Sequence, residues 1–333
     1  MKRLVFICVV VLALVGLASA GLQYKTTDLG TLGGPESFAY DINDAGQVVG
    51  AATPEMSDMV PFIWTKESGM RSLGDLRGYS YGSGWARAIN ELGEVTGWAE
   101  PGCTYPFRWT EKTGMVALEE PGWGRGINDF GEIVCSISGN RDWNAAVWTP
   151  DRRTVYFGPA PIDMDMGSVP QAINNDGLVV GFEQFHWAHY PRLWAPDGFK
   201  VCLPVPGDWG GAARAINDSG VIVGYYGGDA VMWTPNYVYM SLGTLAEDGF
   251  TAACDINDTN TVVGYCCRNF EGCPRWERAF VWTRETGIQE LPMPWGFRNA
   301  EAWAINNHSQ IVGVAWDQDD LRHAILWEPM AGW

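Results

Sequence analysis

Ala86-Arg87-Ala88-Ile89-Asn90-Glu91-Leu92-Gly93-Glu94-Val95-Thr96-Gly97-Trp98 reads as two short strands joined by a tight turn. Residues 86–90 and 94–98 alternate small, polar and β-branched side chains, and Asn90 to Gly93 supply turn chemistry. Gly93 stands where a tight hairpin needs positive φ, which glycine takes without steric cost. The Ile-Asn pair of this segment recurs at Ile42-Asn43, Ile127-Asn128, Ile173-Asn174, Ile216-Asn217, Ile256-Asn257 and Ile305-Asn306, which makes seven copies separated by 47, 38, 46, 43, 40 and 49 residues. Three residues past the Asn stand Gly46, Gly93, Gly131, Gly177 and Gly220, then Asn260 in copy six and, departing from the pattern, Ser309 in copy seven. The Asn and Asp before these positions are read as bonding their own turn backbone. Calcium ligation or acid pairing is the weaker alternative.

Each copy also ends a short apolar run on a tryptophan: Trp64, Trp109, Trp148, Trp194, Trp233, Trp282 and Trp327. Pro61 to Trp64 is a third strand and Met70 to Gly74 a fourth, so a copy holds four strands in roughly 40 to 50 residues. The expected fold is all-β, a seven-bladed β-propeller of four-stranded antiparallel blades. Copy seven runs out after Trp327, whereas residues 23–32 precede copy one and match the fourth-strand segments Ser72 to Leu76 and Ser241 to Leu245. The N-terminal strand is therefore expected to complete the last blade and close the ring. An open β-solenoid is the rival and needs no such split. Residues 21–333 are expected to form one domain, with the tryptophans of the third strands as its interblade core.

Met1 to Ala20 begins with Lys2 and Arg3, continues through the apolar run Leu4 to Leu17, and closes on Ala18-Ser19-Ala20, which reads as a secretory signal cut after Ala20. An uncleaved membrane anchor is the alternative, against which the run is shorter than the ~20 residues a bilayer requires. After cleavage, 20 basic side chains face 39 acidic ones, a balance of −19. Nucleic acid and anionic membrane, which need a basic footprint, are excluded as main partners. The mature protein is expected to be secreted or periplasmic, not inserted in a membrane, and monomeric. Of eight cysteines, Cys8 lies in the signal, which leaves an odd number. Cys273 could close a small loop with Cys266 or Cys267, while Cys103, Cys135, Cys202 and Cys254 cannot be paired from the sequence.

Asp28 to Gly34, Ala39 to Gly50, Arg278 to Trp282 and His323 to Trp327 resemble the bacterial extracellular repeats called HAF repeats, and the resemblance covers nearly all of residues 21–333. It implies export and a propeller-like array, and supplies no reaction. The histidine that opens the repeat's third strand stands only at His323; Val60, Tyr105, Tyr190 and Arg278 are among its replacements, which argues against a shared catalytic role.

In an up-and-down blade the connections after strands two and four share one face, and here they are long and varied. Binding residues ride on such loops, so this face is the candidate site. Trp85, Trp123, Trp209, Phe250 and Trp295 are placed in the loops leading into the first strands, with Trp143, Trp187 and Trp276 in loops after the second. Flat aromatic faces near carboxylates suit a sugar or an apolar protein partner; the competing reading is that they cap the gaps between blades. Arg87, Arg125 and Arg214 occupy matching positions three residues before the repeat Asn, near the channel, and could hold a carboxylate or sulfate in bidentate fashion. Alternatively they pair with loop acids and pin the blades.

No nucleophile elbow, zinc-protease or phosphate-loop motif is present. His186 and His189 with Asp163 and Asp165 form a weak metal constellation, Asp317, Asp319 and Asp320 a weak calcium one, and neither supports assigning a metal or a cofactor. Asp208, Asp248 and Glu301 are candidate carboxylates that the sequence cannot bring together. The expected function is a binding module for a glycan or cell-surface protein through the long-loop face, with a polysaccharide hydrolase or lyase as the alternative and catalysis the less expected outcome.

Overall fold

The computed structural model describes residues 23–330 apart from 77–82, 101, 139–142, 152, 158–165, 186–187, 208, 247–248 and 269–275. The proposed signal segment, Cys273, His186, Trp187, Asp163, Asp165, Asp208 and Asp248 therefore lie outside the described residues. Seven antiparallel sheets of four strands make the seven blades. Six are formed by consecutive strands, starting at β2 (Gly33–Ile42), β6 (Gly84–Ile89), β10 (Gly122–Ile127), β14 (Met166–Ile173), β18 (Gly211–Ile216) and β22 (Phe250–Ile256). The seventh contains β26 (Asn299–Ile305), β27 (Ile311–Trp316) and β28 (Arg322–Pro329), and its outer strand is β1 (Tyr24–Asp28) from the other end of the chain. Tyr24 pairs with Pro329 and Asp28 with Ile325, so the N-terminal strand closes the ring as the repeat count requires.

The core lies between blades. Trp109, Trp148, Trp194, Trp233, Trp282 and Trp327 are buried, and Trp64 is half-buried. Each such ring removes about 150–250 Å² from water, roughly 4–6 kcal/mol of gross transfer free energy. Trp233 and Trp327 satisfy their indole N–H on the Pro204 and Pro292 carbonyls, at 2.7 and 2.9 Å.

The repeat asparagines do more than cap a turn. Each accepts, on Oδ1, the backbone N–H four residues on, as Asn90 does from Glu94 at 2.8 Å. Each also donates its Nδ2 to the carbonyl of the next blade's asparagine. The circuit runs from Asn43 to Asn90, Asn128, Asn174, Asn217, Asn257 and Asn306, and returns to Asn43 at 3.0 Å. All seven asparagines are buried, so every contact is made where water cannot replace it. The turn residues Gly46 to Gly220 all have positive φ, and Asn260 and Ser309 adopt the same left-handed conformation at 61° and 58°. The departure at Ser309 is thus one of residue type only.

All seven inner strands carry a β-bulge immediately before the turn, at Tyr40, Arg87, Arg125, Gln171, Arg214, Cys254 and Trp303. A bulge sets two residues against one and re-aims a side chain. Opposite it, a Cβ at Gly97 would stand 1.9 Å from the Trp85 carbonyl oxygen, so glycine is required there for steric reasons. Blade three inverts the arrangement, with Gly124 opposite Cys135.

Candidate functional site

The bulged residues converge. A cavity of about 600 Å³ on the propeller axis is lined by Tyr40, Arg87, Arg125, Gln171, Arg214, Cys254 and Trp303, one from each blade, together with Asp41, Asp255 and Glu301. The three arginines expected near the channel are thus brought together in it. Among the described residues none of them forms a salt bridge. Arg87 lies 4.2 Å over the Tyr40 ring, and Tyr40 stacks on Trp303 with centroids 4.8 Å apart. Arg214 lies near the rings of Tyr225 and Tyr265, at 5.1 and 5.7 Å, and donates to the Cys254 sulfur at 3.2 Å. Arg125 has a buried Nε with no hydrogen-bond partner. Burial, with the charge of Arg87 beside it, pulls its pKa down to about 10, which still leaves it charged at neutral pH.

Above the bulges, toward the long loops, lies a second row in which neighbouring strands complement each other. Inner-strand Phe38, Trp85 and Trp123 face Ala51, Trp98 and Ser136, whereas Val169, Ala212 and Ala252 face Phe182, Tyr225 and Tyr265. Where the inner strand is small the second strand supplies the ring, so six blades carry at least one aromatic in this row; blade seven carries Glu301 opposite Val314. Phe182, Tyr225 and Tyr265 line the cavity and were missed in the sequence because they sit on second strands, away from the loops. Trp85, Trp123 and Phe250 belong to strands β6, β10 and β22, a correction to their expected place in loops. The strands extend further toward the long-loop face than alternation alone suggested. Trp85 stacks on Trp98 at 4.1 Å, Trp123 meets Trp143 at 3.8 Å, and Phe250 packs edge-on to Tyr225 at 5.2 Å. Trp143 and Trp276 likewise open strands, β12 (Trp143–Trp148) and β24 (Trp276–Thr283).

Trp209 and Trp295 do ride on loops, and are 71% and 97% exposed. Neither lines the cavity. The backbone N–H of Trp209 donates to the Tyr226 hydroxyl at 2.8 Å, which fixes its loop to the second strand of blade five, β19 (Ile222–Tyr226).

Two carboxyls escaped the sequence reading, Asp41 and Asp255, where other blades have Ala or Gly beside the bulge. Asp41 accepts the N–H groups of Ile42 and Ile89, both at 2.8 Å, and so bridges blades one and two. Asp255 accepts from Ile305 at 2.8 Å and bridges blades six and seven. Burial, reinforced by Asp255, pushes Asp41 up to about 8; burial likewise pushes Asp255 to about 6.

The short-turn end of the channel is rimmed by the residue after each asparagine: Asp44, Glu91, Asp129, Asn175, Asp218, Asp258 and Asn307. Each carboxylate or amide oxygen accepts the N–H of the preceding blade's rim residue, and Asn307 bonds back to Asp44 at 2.7 Å. Asn175 and Asn307 also donate to the carboxylates on both sides, which relieves repulsion. Asp317 accepts from Asp319 and Leu321 in its own turn, at 2.8 and 3.0 Å. Cys266, one expected partner of Cys273, is a buried thiol 3.4 Å from the Thr251 hydroxyl.

A scan against protein-family models and a search of curated proteins found no match. Solved structures similar to this chain include virginiamycin B lyase from Staphylococcus aureus, at 12% identity and TM-score 0.60, covering 93% of this chain and 100% of that one. Oligogalacturonate lyase from Vibrio parahaemolyticus matches at 12% identity and TM-score 0.59, covering 93% and 94%. The β-propeller domain of the trilobed protease from Pyrococcus furiosus matches at 10% identity and TM-score 0.54, covering 88% and 93%. At these identities the likeness is one of fold.

Proposed function

We propose that this propeller is an exported binding module that takes a glycan at the long-loop end of its channel. The carrying observation is the aromatic row that six blades carry above the bulged residues, of which Phe182, Tyr225 and Tyr265 line the channel cavity, with exposed Trp209 and Trp295 on the loops beyond it. Aromatic faces pack against the apolar C–H face of a sugar, while Arg, Gln and carboxylate groups bond its hydroxyls. The signal-like N-terminus and the HAF-repeat resemblance support an extracytoplasmic setting. A cell-surface protein partner would use the same exposed tryptophans.

A polysaccharide lyase or hydrolase is the second reading, favoured by the lyase activities named for two of the fold neighbours. The paired carboxyls such chemistry would recruit are committed elsewhere, because Asp41 and Asp255 each serve as an interblade acceptor for backbone N–H groups. The test is electrophoresis of residues 21–333 through gels containing different polysaccharides, with the same mixtures assayed for new reducing ends. Retardation without new ends is the expected result. New reducing ends would replace binding by catalysis, and no retardation by any polysaccharide would turn the search to protein partners.

A further inference from the structure

The cavity lining is electrically lopsided. Arg87, Arg125, Gln171 and Arg214 come from four consecutive blades, two to five, and form an unbroken arc of hydrogen-bond donors. The carboxyls Asp41, Asp255 and Glu301 lie in blades one, six and seven, on the side where Tyr40 and Trp303 stack. Arg87 lies 4.2 Å over the Tyr40 ring, and Arg214 lies beside two rings. A guanidinium over a ring can still present in-plane N–H groups, the edge that meets a planar carboxylate in bidentate fashion; Arg214 gives one of its own to the Cys254 sulfur, and the Arg125 Nε has no partner. An unpaired guanidinium in a cavity costs folding free energy, and among the described residues none of the three has an ion-pair partner.

Access is also polarised. The short-turn mouth is rimmed by Asp44, Glu91, Asp129, Asp218 and Asp258, which repel an anion. The long-loop mouth carries the aromatic row. An anion that enters there arrives with whatever it is attached to lying against rings and facing Glu301, whose carboxylate accepts the Trp303 indole N–H at 2.8 Å.

We infer that the channel is a binding site for a uronic-acid oligosaccharide, with the sugar carboxylate held on the arc of Arg87, Arg125, Gln171 and Arg214 and the rings and hydroxyls packed toward Tyr40, Trp303 and Glu301. The inference rests on the glycan reading and specifies its ligand class. The cavity volume of about 600 Å³ falls within the range of about 300–1,000 Å³ that encloses small ligands.

The experiment is calorimetric titration of residues 21–333, at fixed low ionic strength, with trimers of glucuronate, galacturonate and mannuronate, with their methyl esters, and with inorganic sulfate. At least one acid trimer is expected to bind ten- to a hundredfold more tightly than its ester, as two or more charge-assisted hydrogen bonds imply. Arg125→Met is expected to remove that preference by weakening the acid trimer ten- to a hundredfold more than its ester, with Arg87→Met repeating the test in a neighbouring blade should the first variant fold poorly. Acid and ester bound equally, or an unchanged preference in both variants, would overturn the channel site while the glycan reading stands. Sulfate that displaces the acid trimer at equal concentration would overturn the carboxylate assignment. Failure of every trimer, ester and polysaccharide would remove the glycan reading itself.

Discussion

The two ends of the channel are built from the same seven inner strands, and they differ in what is repeated. At the short-turn end one residue type does one job seven times, with each asparagine bonded to the next blade and the circuit closed at 3.0 Å. Three residues earlier on the same strands, the bulge positions hold Tyr, Arg, Arg, Gln, Arg, Cys and Trp, five residue types of which only Arg recurs. Uniformity marks the groups that hold blades together, because every blade faces the same neighbour problem. Variation marks groups that address something without sevenfold symmetry.

Asn128 and Arg125, three residues apart on the strand and turn of blade three, allow the comparison to be broken from either side. Asn128→Ala removes acceptance from Phe130 and Glu132 and donation to Asn174, at 3.2, 3.0 and 3.2 Å, all around a buried group. Stability by chemical denaturation is expected to fall by about 2–4 kcal/mol, with glycan retention of the folded fraction unchanged. Asn217→Ala should cost the same to within about 1 kcal/mol. Unequal costs would mean the circuit is not one repeated device.

Ring closure supplies a second break. His323 on β28 bonds Asp28 on β1 at 2.9 Å, which ties the two chain ends together. The Asp28 hydrogen bond, reinforced by nearby carboxylates, raises His323 against the opposing effect of burial. Asp28 is lowered, since burial is outweighed by its bonds from His323 and Gly30. A raised His contributes below its unfolded value near 6.5 and a lowered Asp above its unfolded value near 3.8, so this latch is fully present only between those limits. As pH rises through the folded His323 value its contribution is lost. Asp41 acts in the same direction: ionised when unfolded but protonated up to about 8 when folded, it makes stability fall as pH climbs from about 4 toward 8. The thermal midpoint is therefore expected to be lower at pH 8 than at pH 6, and His323→Gln should flatten part of that slope. A midpoint that rises over this range would contradict both assignments.

Arg125→Met is expected to act with the opposite sign to Asn128→Ala. It exchanges a desolvated, unpaired cation for an apolar chain of similar length, and the protein should gain about 1 kcal/mol in denaturant unfolding. Loss of stability in this variant would show that the guanidinium serves the fold, and would place the bulge row with the asparagine circuit instead of against it.

How much of this was legible follows the same division. The recurrence of Ile-Asn, the glycine three residues on and the missing strand after Trp327 state the blade count and the closure in one dimension, because each is a local backbone demand. The circuit was only half legible: the asparagine's bond to its own turn spans four residues, whereas its bond to the next blade spans 38 to 49 in six blades and 263 where the ring closes, and depends on how the blades are set. The arginines were found by their matching offset from the asparagine. Phe182, Tyr225 and Tyr265 were not, since a small residue on the inner strand becomes informative only when set against its cross-strand partner eight residues past the asparagine. Asp41 and Asp255 broke the pattern of small residues at their position, and that break was the available signal.

The smallest effect on stability is expected at the rim. Trp295 is 97% exposed, so Trp295→Ala uncovers no core, and its stability should stay within about 0.5 kcal/mol of the parent. Trp209 is 71% exposed and is fixed through its backbone N–H, which alanine retains, so Trp209→Ala should be nearly as neutral. An aromatic face against a sugar contributes about 0.5–1.5 kcal/mol, and retention in the polysaccharide gels should weaken roughly two- to tenfold in either variant. The affinity of short acid trimers, which fit within the channel, should not change. A rim variant that weakens trimers as much as long chains would mean that the sugar does not reach the arginines, and the site would then lie on the loops alone. Equal retention of long chains by both variants and the parent would confine recognition to the channel, where the seven bulges already place the side chains that differ.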